Sequence, residues 1–126
     1  MVSDSGPTSP RAAVALAAIA DARTAASRLI ESLARQWTGI VEASALSTND
    51  DEHDPEGVTV AFERAQVQGM LDQARTDLAD LDRAIVRVRE GTYWTCARCA
   101  GPIAEERLAA LPATRTCITC ANKVRG

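Results

Sequence analysis

Aromatic residues and long apolar runs are scarce in this chain of 126 residues. Only 3% of the residues are aromatic, which is few for a large globular core. No apolar run approaches the roughly 20 residues that a membrane-spanning helix needs, so no membrane association is expected. The apolar segment 12–20 is rich in alanine, and its helical period continues past Asp21, which argues against a secretion signal. The chain is rich in alanine, which favours long helices. We expect a small, mainly helical protein of the cytoplasm, where the four cysteines described below would stay reduced as metal ligands.

Positive charge is also in short supply, and it is unevenly placed. Seventeen acidic residues outnumber fourteen basic ones, so the formal net charge is −3 and the molecule is not suited to coating nucleic acid. Residues 50–56 carry five carboxylates and no Lys or Arg, whereas residues 87–126 carry seven basic residues against three acidic ones. The chain therefore has an acidic segment in its middle and a basic C-terminal region.

Cysteine occurs only four times, as two Cys-x-x-Cys pairs separated by 17 residues: Cys96, Cys99, Cys117 and Cys120. This spacing is typical of a tetrahedral Zn²⁺ site, because each pair turns two sulfurs toward one point. Four thiolates leave no open coordination position, so we expect one structural Zn²⁺ and no catalytic metal. Two disulfides in a secreted domain, or a thioredoxin-like redox motif, are the alternatives. The low cysteine density and the presence of two pairs argue against them.

A first helix is predicted over residues 11–45. Ser9 is its expected N-cap and Pro10 its first-turn proline. Apolar residues recur at spacings of three and four and form one continuous stripe. The stripe consists of Leu16, Ile19, Ala22, Ala26, Leu29, Ile30, Leu33, Trp37, Ile40 and Val41.

A second helix is predicted to begin with Pro55 at its first position and Asp54 as its cap. Gly91 is expected to end it as the residue that follows the C-cap. Its apolar residues form a coiled-coil seam with steps of three and four, and Arg64 occupies the one missing position. The seam consists of Val60, Val67, Leu71, Ala74, Leu78, Leu81, Ile85 and Val88. Trp37 and Phe62 are expected to pack in or beside this seam.

The two helices have similar lengths, and a connection of about ten residues joins them, which predicts an antiparallel hairpin. The fold class expected is mainly α, a long coiled-coil hairpin with a small C-terminal Cys₄ zinc finger. Residues 1–10 are expected to be a disordered tail, residues 11–90 the hairpin with an acidic tip at 47–57, and residues 91–126 the finger. The hairpin would be ~45–50 Å long at 1.5 Å per residue. An intermolecular coiled coil is the alternative, but the short connection favours a monomer.

Four short motifs surround the cysteines. They are Gly91-Thr-Tyr93-Trp-Thr-Cys96-Ala-Arg-Cys99, Pro102-Ile103, Arg107-Leu108-Ala109-Ala110-Leu-Pro112 and Cys117-Ile-Thr-Cys120. At these offsets the chain resembles the C4 zinc finger of DksA/TraR-type regulators, strongly over residues 91–120 and more weakly over the hairpin from about residue 46 to 90. The resemblance implies a zinc-finger base that carries a coiled-coil arm with an acidic tip.

Regulators of this type do not bind promoter DNA. They insert the arm into the secondary channel of bacterial RNA polymerase and alter open-complex stability, often together with the alarmone ppGpp. The resemblance therefore implies RNA polymerase as the partner and ppGpp as a co-regulator. The family's tip motif is Asp-Pro-x-Asp-x-Ala, and Asp54-Pro55 matches its start, but Gly57 and Thr59 stand at the later positions. Asp54 is carried over as a partner-binding residue, with Asp51 and Glu56 as further candidates.

The finger departs from the family pattern at two positions. Ala100 stands directly after the second cysteine, where the family usually has Gly, and Gly101 follows it. Trp94 stands where a Gly is common. Neither change removes a metal ligand, but both predict a different local backbone or packing.

Two other functions remain open from the residues alone. The chain could be a nucleic-acid-binding zinc-finger protein, or a coiled-coil scaffold in which the zinc site is purely structural. No enzyme is expected, because the predicted zinc is coordinatively closed and no nucleophile–base constellation is visible. The basic residues of the finger are expected either to offset the charge of a Zn²⁺–thiolate centre or to contact a partner. They are Arg98, Arg107, Arg115 and Lys123.

Overall fold

The computed structural model describes residues 6–46 and 55–125, most of which are helical. The helices are α1 (Pro10–Leu46), α2 (Pro55–Glu90), α3 (Glu105–Ala110) and α4 (Ile118–Arg125). The predicted fold class is confirmed, since two long helices pack together ahead of a small cysteine-containing finger. Among the described residues, β structure is limited to one isolated antiparallel bridge between Thr95 and Pro102. Not one of the described helices combines the length and apolar character needed to cross a membrane.

The chain divides into two compact units. The described residues of the first unit are 6–24 and 77–125, and the second unit is Ala25–Thr76. Residues 1–5 of the expected tail and residues 47–54 of the expected tip lie outside the described ranges, so Asp51 and Asp54 do too.

In the first unit, α1 begins with the capping arrangement that the sequence predicts. The N–H of Ala12 donates to Ser9 Oγ at 3.0 Å, and Ser9 itself is buried. A side-chain oxygen at this position satisfies one of the N–H groups that the first helical turn leaves without a partner. Pro10 follows the cap and lacks an N–H, which suits the first turn. The start of α1 is thus determined locally.

The end of α2 is also local in origin. Gly91 has a φ of 80°, a left-handed conformation that glycine adopts without steric penalty. The N–H of Thr92 donates to the carbonyl oxygen of Arg87 at 3.0 Å, and the N–H of Gly91 donates to that of Val88 at 3.2 Å. This pair of bonds is the Schellman motif. It confirms Gly91 as the residue that ends the helix and directs the chain into the finger.

Within the first unit, α1 and α2 are held side by side. Arg23 Nε donates to Asp82 Oδ1 at 2.7 Å. Both side chains are exposed, so this ion pair adds little stability, and the buried residues supply most of it. Ile19, Ala84 and Val88 are fully buried.

The core of the second unit is the predicted seam. Its buried members are Leu33, Val67, Leu71 and Ala74, and Ile30, Trp37 and Ile40 pack against them. Arg64, at the missing seam position, places its guanidinium carbon 5.2 Å from the centroid of the Trp37 ring. A cation over an indole face is favourable at this distance. The stacked guanidinium therefore takes the place of the absent apolar residue.

Three expectations about this unit were wrong. Leu29 and Val41 are exposed rather than part of the stripe. Leu29 precedes Ile30, and Val41 follows Ile40. Adjacent residues of a helix point about 100° apart, so only one residue of each pair faces the partner helix. Phe62 is 72% exposed instead of packed at the seam. It lies two residues after Val60, a rotation of about 200° that turns it away from α1.

The finger has a small aromatic and aliphatic core. Tyr93, Trp94, Ile103 and Leu108 are buried, and the Tyr93 and Trp94 rings meet edge to face with centroids 5.4 Å apart. The guanidinium carbon of Arg11 lies 4.2 Å from the centroid of the Trp94 ring. Trp94 therefore packs the finger against the first turn of α1.

Candidate metal centre

The first cysteine pair lies on a tight knuckle. The N–H of Cys96 donates to the carbonyl oxygen of Gly101 at 2.7 Å, and the N–H of Ala100 donates to that of Cys96 at 3.0 Å. Two further N–H groups point at sulfur, from Arg98 to Cys96 Sγ and from Gly101 to Cys99 Sγ, each at 3.4 Å. Such N–H groups stabilise negative charge on sulfur, so the turn favours the thiolate form that metals bind.

Ala100 carries the conformational strain of this knuckle. Its φ is 62°, the left-handed region that costs a non-glycine residue roughly 1–2 kcal/mol. This is the position where a glycine was expected from the family pattern. Gly101, one residue later, lies so close to the site that an added Cβ would be 3.3 Å from Cys99 Sγ. Ala100 thus adopts a left-handed conformation that a glycine would take without strain.

The second pair uses the start of a helix. Cys117 precedes α4, and Cys120 lies in the first turn of α4. The N–H of Cys120 donates to Cys117 Sγ at 3.5 Å, so the Cys117 sulfur takes the place of an N-cap oxygen. The positive end of the helix dipole then favours negative charge on this sulfur.

The four sulfur atoms converge. All lie within 4.8 Å of one another, and Cys99 Sγ and Cys117 Sγ are 3.8 Å apart. With Zn–S bonds of 2.3 Å, a regular tetrahedron requires sulfur separations of about 3.8 Å. The donor set, its size and its N–H···S hydrogen bonds therefore fit Zn²⁺. The four predicted cysteines form a zinc site with a closed coordination shell, the kind that stabilises a fold.

The thiol pKa values follow from these contacts. Backbone N–H groups, that of Cys99 first and that of Cys117 next, lower the pKa of Cys96 to about 6. The N–H of Cys120 lowers the pKa of Cys117. A hydrogen bond with the Cys117 sulfur, reinforced by burial, raises the pKa of Cys120 to about 12. Since zinc takes cysteine as the thiolate, filling the site releases the proton that Cys120 retains.

A loop between α3 and the second knuckle is held by three side chains that the sequence did not single out for this purpose. Tyr93 Oη donates to the carbonyl oxygen of Pro112 at 2.7 Å, and an Arg87 terminal nitrogen donates to that of Thr114 at 3.1 Å. Arg107 Nε donates to the carbonyl oxygen of Thr116 at 2.9 Å. We call residues 112–116, with these donors, the loop clamp.

The loop clamp also joins the two knuckles. The N–H of Ala97, between Cys96 and Cys99, donates to the carbonyl oxygen of Arg115 at 2.8 Å. Burial, and after it the nearby Arg115, lowers the pKa of Arg87, which agrees with its position under the loop. Four of the five carbonyls of residues 112–116 thus accept hydrogen bonds from the rest of the unit, all except that of residue 113, while the loop leads to Cys117. Arg107 is engaged here by its own chain, so its guanidinium has a structural use beyond the two that were expected.

The proposed tip residues are placed differently from the cysteines. Glu56 belongs to the first turn of α2, whereas Asp51 and Asp54 lie outside the described residues. The ends of the two helices in the second unit lie close together, because one groove is lined by Gly39, Ile40 and Ala43 from α1 and by Val60 and Glu63 from α2. The acidic segment thus connects two adjacent helix ends.

Residues 91–125 match the family described as the prokaryotic dksA/traR C4-type zinc finger. Over these residues the chain is similar to DksA/TraR-type fingers. An uncharacterized protein of Aquifex aeolicus (strain VF5) is 45% identical over 47 residues, which is 37% of this chain and 32% of that protein. The matched segment therefore spans about a third of the relative's length.

The likeness extends beyond residues 91–125 at the level of fold. The structure of transcription factor DksA2 from Pseudomonas aeruginosa matches with a TM-score of 0.51 and 22% sequence identity, covering 86% of this chain and 84% of that one. At this identity the match concerns the fold, which includes the long helices as well as the finger.

Proposed function

We propose that this protein is a zinc-finger transcription regulator that binds RNA polymerase. In this proposal the end of the hairpin enters the secondary channel and modulates initiation. The DksA/TraR-type finger and the fold likeness to a transcription factor support it. The observation that carries it furthest is the acidic connection between adjacent helix ends on this scaffold.

The chemistry of the connection fits this role. Residues 50–56 contain Asp50, Asp51, Glu52, Asp54 and Glu56. Carboxylates are hard oxygen ligands suited to Mg²⁺, which a polymerase uses with its nucleoside triphosphate substrates. An acidic segment in the secondary channel would act on those groups by charge and bulk, without performing a reaction itself. Asp54 is the proposed principal residue, with Asp51 and Glu56 in support.

The remaining features of the proposal follow from this site of action. A polymerase regulator works in the cytoplasm, binds as a monomer, and has no need of direct sequence-specific DNA contacts. Co-regulation by ppGpp belongs to the proposal as well. Two of the basic residues near the finger, Arg87 and Arg107, are engaged by the loop clamp, which leaves a smaller basic surface for nucleic acid.

The test is binding to core RNA polymerase, followed by transcription in vitro with and without ppGpp. We expect the intact protein to be retained by immobilised polymerase and a version lacking residues 47–57 to lose its effect on initiation. Asp54→Asn should bind and fail to regulate, whereas the matched control Glu31→Gln, an exposed carboxylate on α1, should regulate normally. An intact protein that is not retained would refute the proposal.

A further inference from the structure

The first turns of α2 carry a second apolar stripe, on the face opposite the seam. Its members recur at the i, i+3, i+4 and i+7 spacing of one helix face. They are Val58, Ala61, Phe62 and Ala65, and all four are exposed. Val58 is 74% exposed and Phe62 is 72% exposed, whereas Val67 on the seam is buried. At this end α2 is therefore apolar on two faces.

Folding of the second unit does not account for this outer stripe. Val and Phe are weaker helix formers than Ala, Glu or Lys, and an exposed apolar side chain gains little from the hydrophobic effect. Phe62 is the only phenylalanine of the chain. A single exposed apolar residue is ordinary, but two large ones a turn apart, with alanines beside them, form a continuous patch suited to contact with another surface.

The surroundings of the outer stripe have the arrangement of a protein–protein interface. Thr59, Glu63 and Gln66 are exposed and flank it along one side. An apolar centre with an aromatic residue and a polar rim is the usual anatomy of such an interface, in which a few buried side chains supply most of the affinity. The apolar spacing is also that of a helix laid against an apolar surface.

The position of the stripe indicates what covers it. It begins at Val58, directly after Gly57, where the acidic segment ends. From Pro55 to Ala65 the helix rises only ~15 Å, so the whole stripe lies within about that distance of the acidic segment along the helix. The stripe is thus continuous with the proposed polymerase-contacting segment.

We propose that Val58, Ala61, Phe62 and Ala65 bind an apolar surface of RNA polymerase. This inference rests on the proposed function and adds a division of labour to it. The outer stripe provides affinity, and the neighbouring carboxylates provide the regulatory effect. Phe62 is the central anchor because it has the largest exposed apolar side chain of the four.

The experiment measures the affinity of full-length variants for core RNA polymerase. Phe62→Ala should raise the Kd about tenfold or more, the scale of an anchoring side chain. Met70→Ala is the matched control, because Met70 is exposed on the same helix in the same unit but lies off the stripe. Its Kd should be unchanged. Thermal unfolding should be the same for Phe62→Ala and the wild type, since Phe62 is already exposed.

Asp54→Asn separates the two roles. It should keep wild-type affinity and lose the effect on initiation. Phe62→Ala should behave in the opposite way: it should bind more weakly, but regulate normally at a protein concentration that saturates the polymerase.

If the wild type binds polymerase and Phe62→Ala binds equally well, the inference about the stripe is overturned and the proposed function stands. If the wild type does not bind, both are overturned. A wild-type dimer in sedimentation that Phe62→Ala converts to a monomer would assign the stripe to a second copy of this chain and overturn the inference.

Discussion

Arg107 Nε donates a 2.9 Å hydrogen bond to the carbonyl oxygen of Thr116, the residue immediately before the zinc ligand Cys117. A terminal nitrogen of the same guanidinium lies 3.3 Å from Thr114 Oγ1. One side chain thus fixes the segment that delivers the second cysteine pair to the metal. Ligand orientation by neighbouring hydrogen bonds commonly changes metal affinity by 10- to 100-fold.

Arg107→Met should therefore weaken zinc binding about tenfold and lower the stability of the finger by about 1–3 kcal/mol, because a half-buried carbonyl loses its donor. Competition with a chromogenic chelator measures the zinc affinity. Arg115→Met is the control, since that side chain is exposed on the same loop. Equal zinc retention by both variants would contradict the positioning role of Arg107.

Ala100→Gly should stabilise the finger by about 1 kcal/mol, because it relieves the left-handed strain at φ 62°. Chemical denaturation of the zinc-loaded protein measures this. Ala97→Gly makes the same change in the same knuckle, at a residue without positive φ. It should instead destabilise the finger, by up to about 1 kcal/mol, since glycine has more freedom to lose on folding. The two variants moving in the same direction would argue against strain at Ala100.

Tyr93 should make stability depend on alkaline pH. Burial raises the pKa of Tyr93 above its ordinary value of 10.0, with Arg87 acting in the opposite direction. The folded state therefore holds the phenolic proton more tightly than the unfolded state. The stabilising contribution is complete below pH 10 and is lost as the pH rises through the folded-state pKa. Tyr93 is the only tyrosine, so its tyrosinate absorbance titrates this group alone.

Tyr93→Phe provides the comparison for this titration. The variant loses the hydrogen bond to the carbonyl oxygen of Pro112 and should be less stable than the wild type at neutral pH. Its stability should fall less steeply above pH 10, so that the two unfolding curves converge. Parallel curves in this range would show that the Tyr93 proton is not linked to folding.

Leu33→Ala should lower the free energy of unfolding by about 2–5 kcal/mol, because it opens a cavity in the core of the second unit. Leu33 is 2% exposed and packs with Val67, Leu71 and Ala74. Leu29→Ala, four residues earlier on the same helix and 45% exposed, should cost less than about 1 kcal/mol. Urea unfolding followed by circular dichroism tests the pair, and similar losses would mean that the seam is not the core.

Much of the fold and the whole ligand set could be predicted, because the relevant interactions are local in the chain. The Cys-x-x-Cys spacing identified the zinc ligands. The Ser9 cap, Pro10 and Gly91 marked helix ends to within a residue or so, since capping bonds join residues three to five apart. Periodicity alone identified the seam, because only one face of each helix can meet the other.

Tertiary structure decided the interactions between residues far apart in sequence. Arg87 and Thr114 are 27 residues apart, so no spacing rule places that guanidinium under the loop clamp. The sequence places Arg64 at the missing seam position, but only the fold brings its guanidinium over the Trp37 ring. Phe62 is predicted to pack at the seam, but in the fold it faces solvent. The sequence determines which side chains lie on each face of a helix. Only the folded chain determines which face is covered, because that depends on what the rest of the chain brings against it.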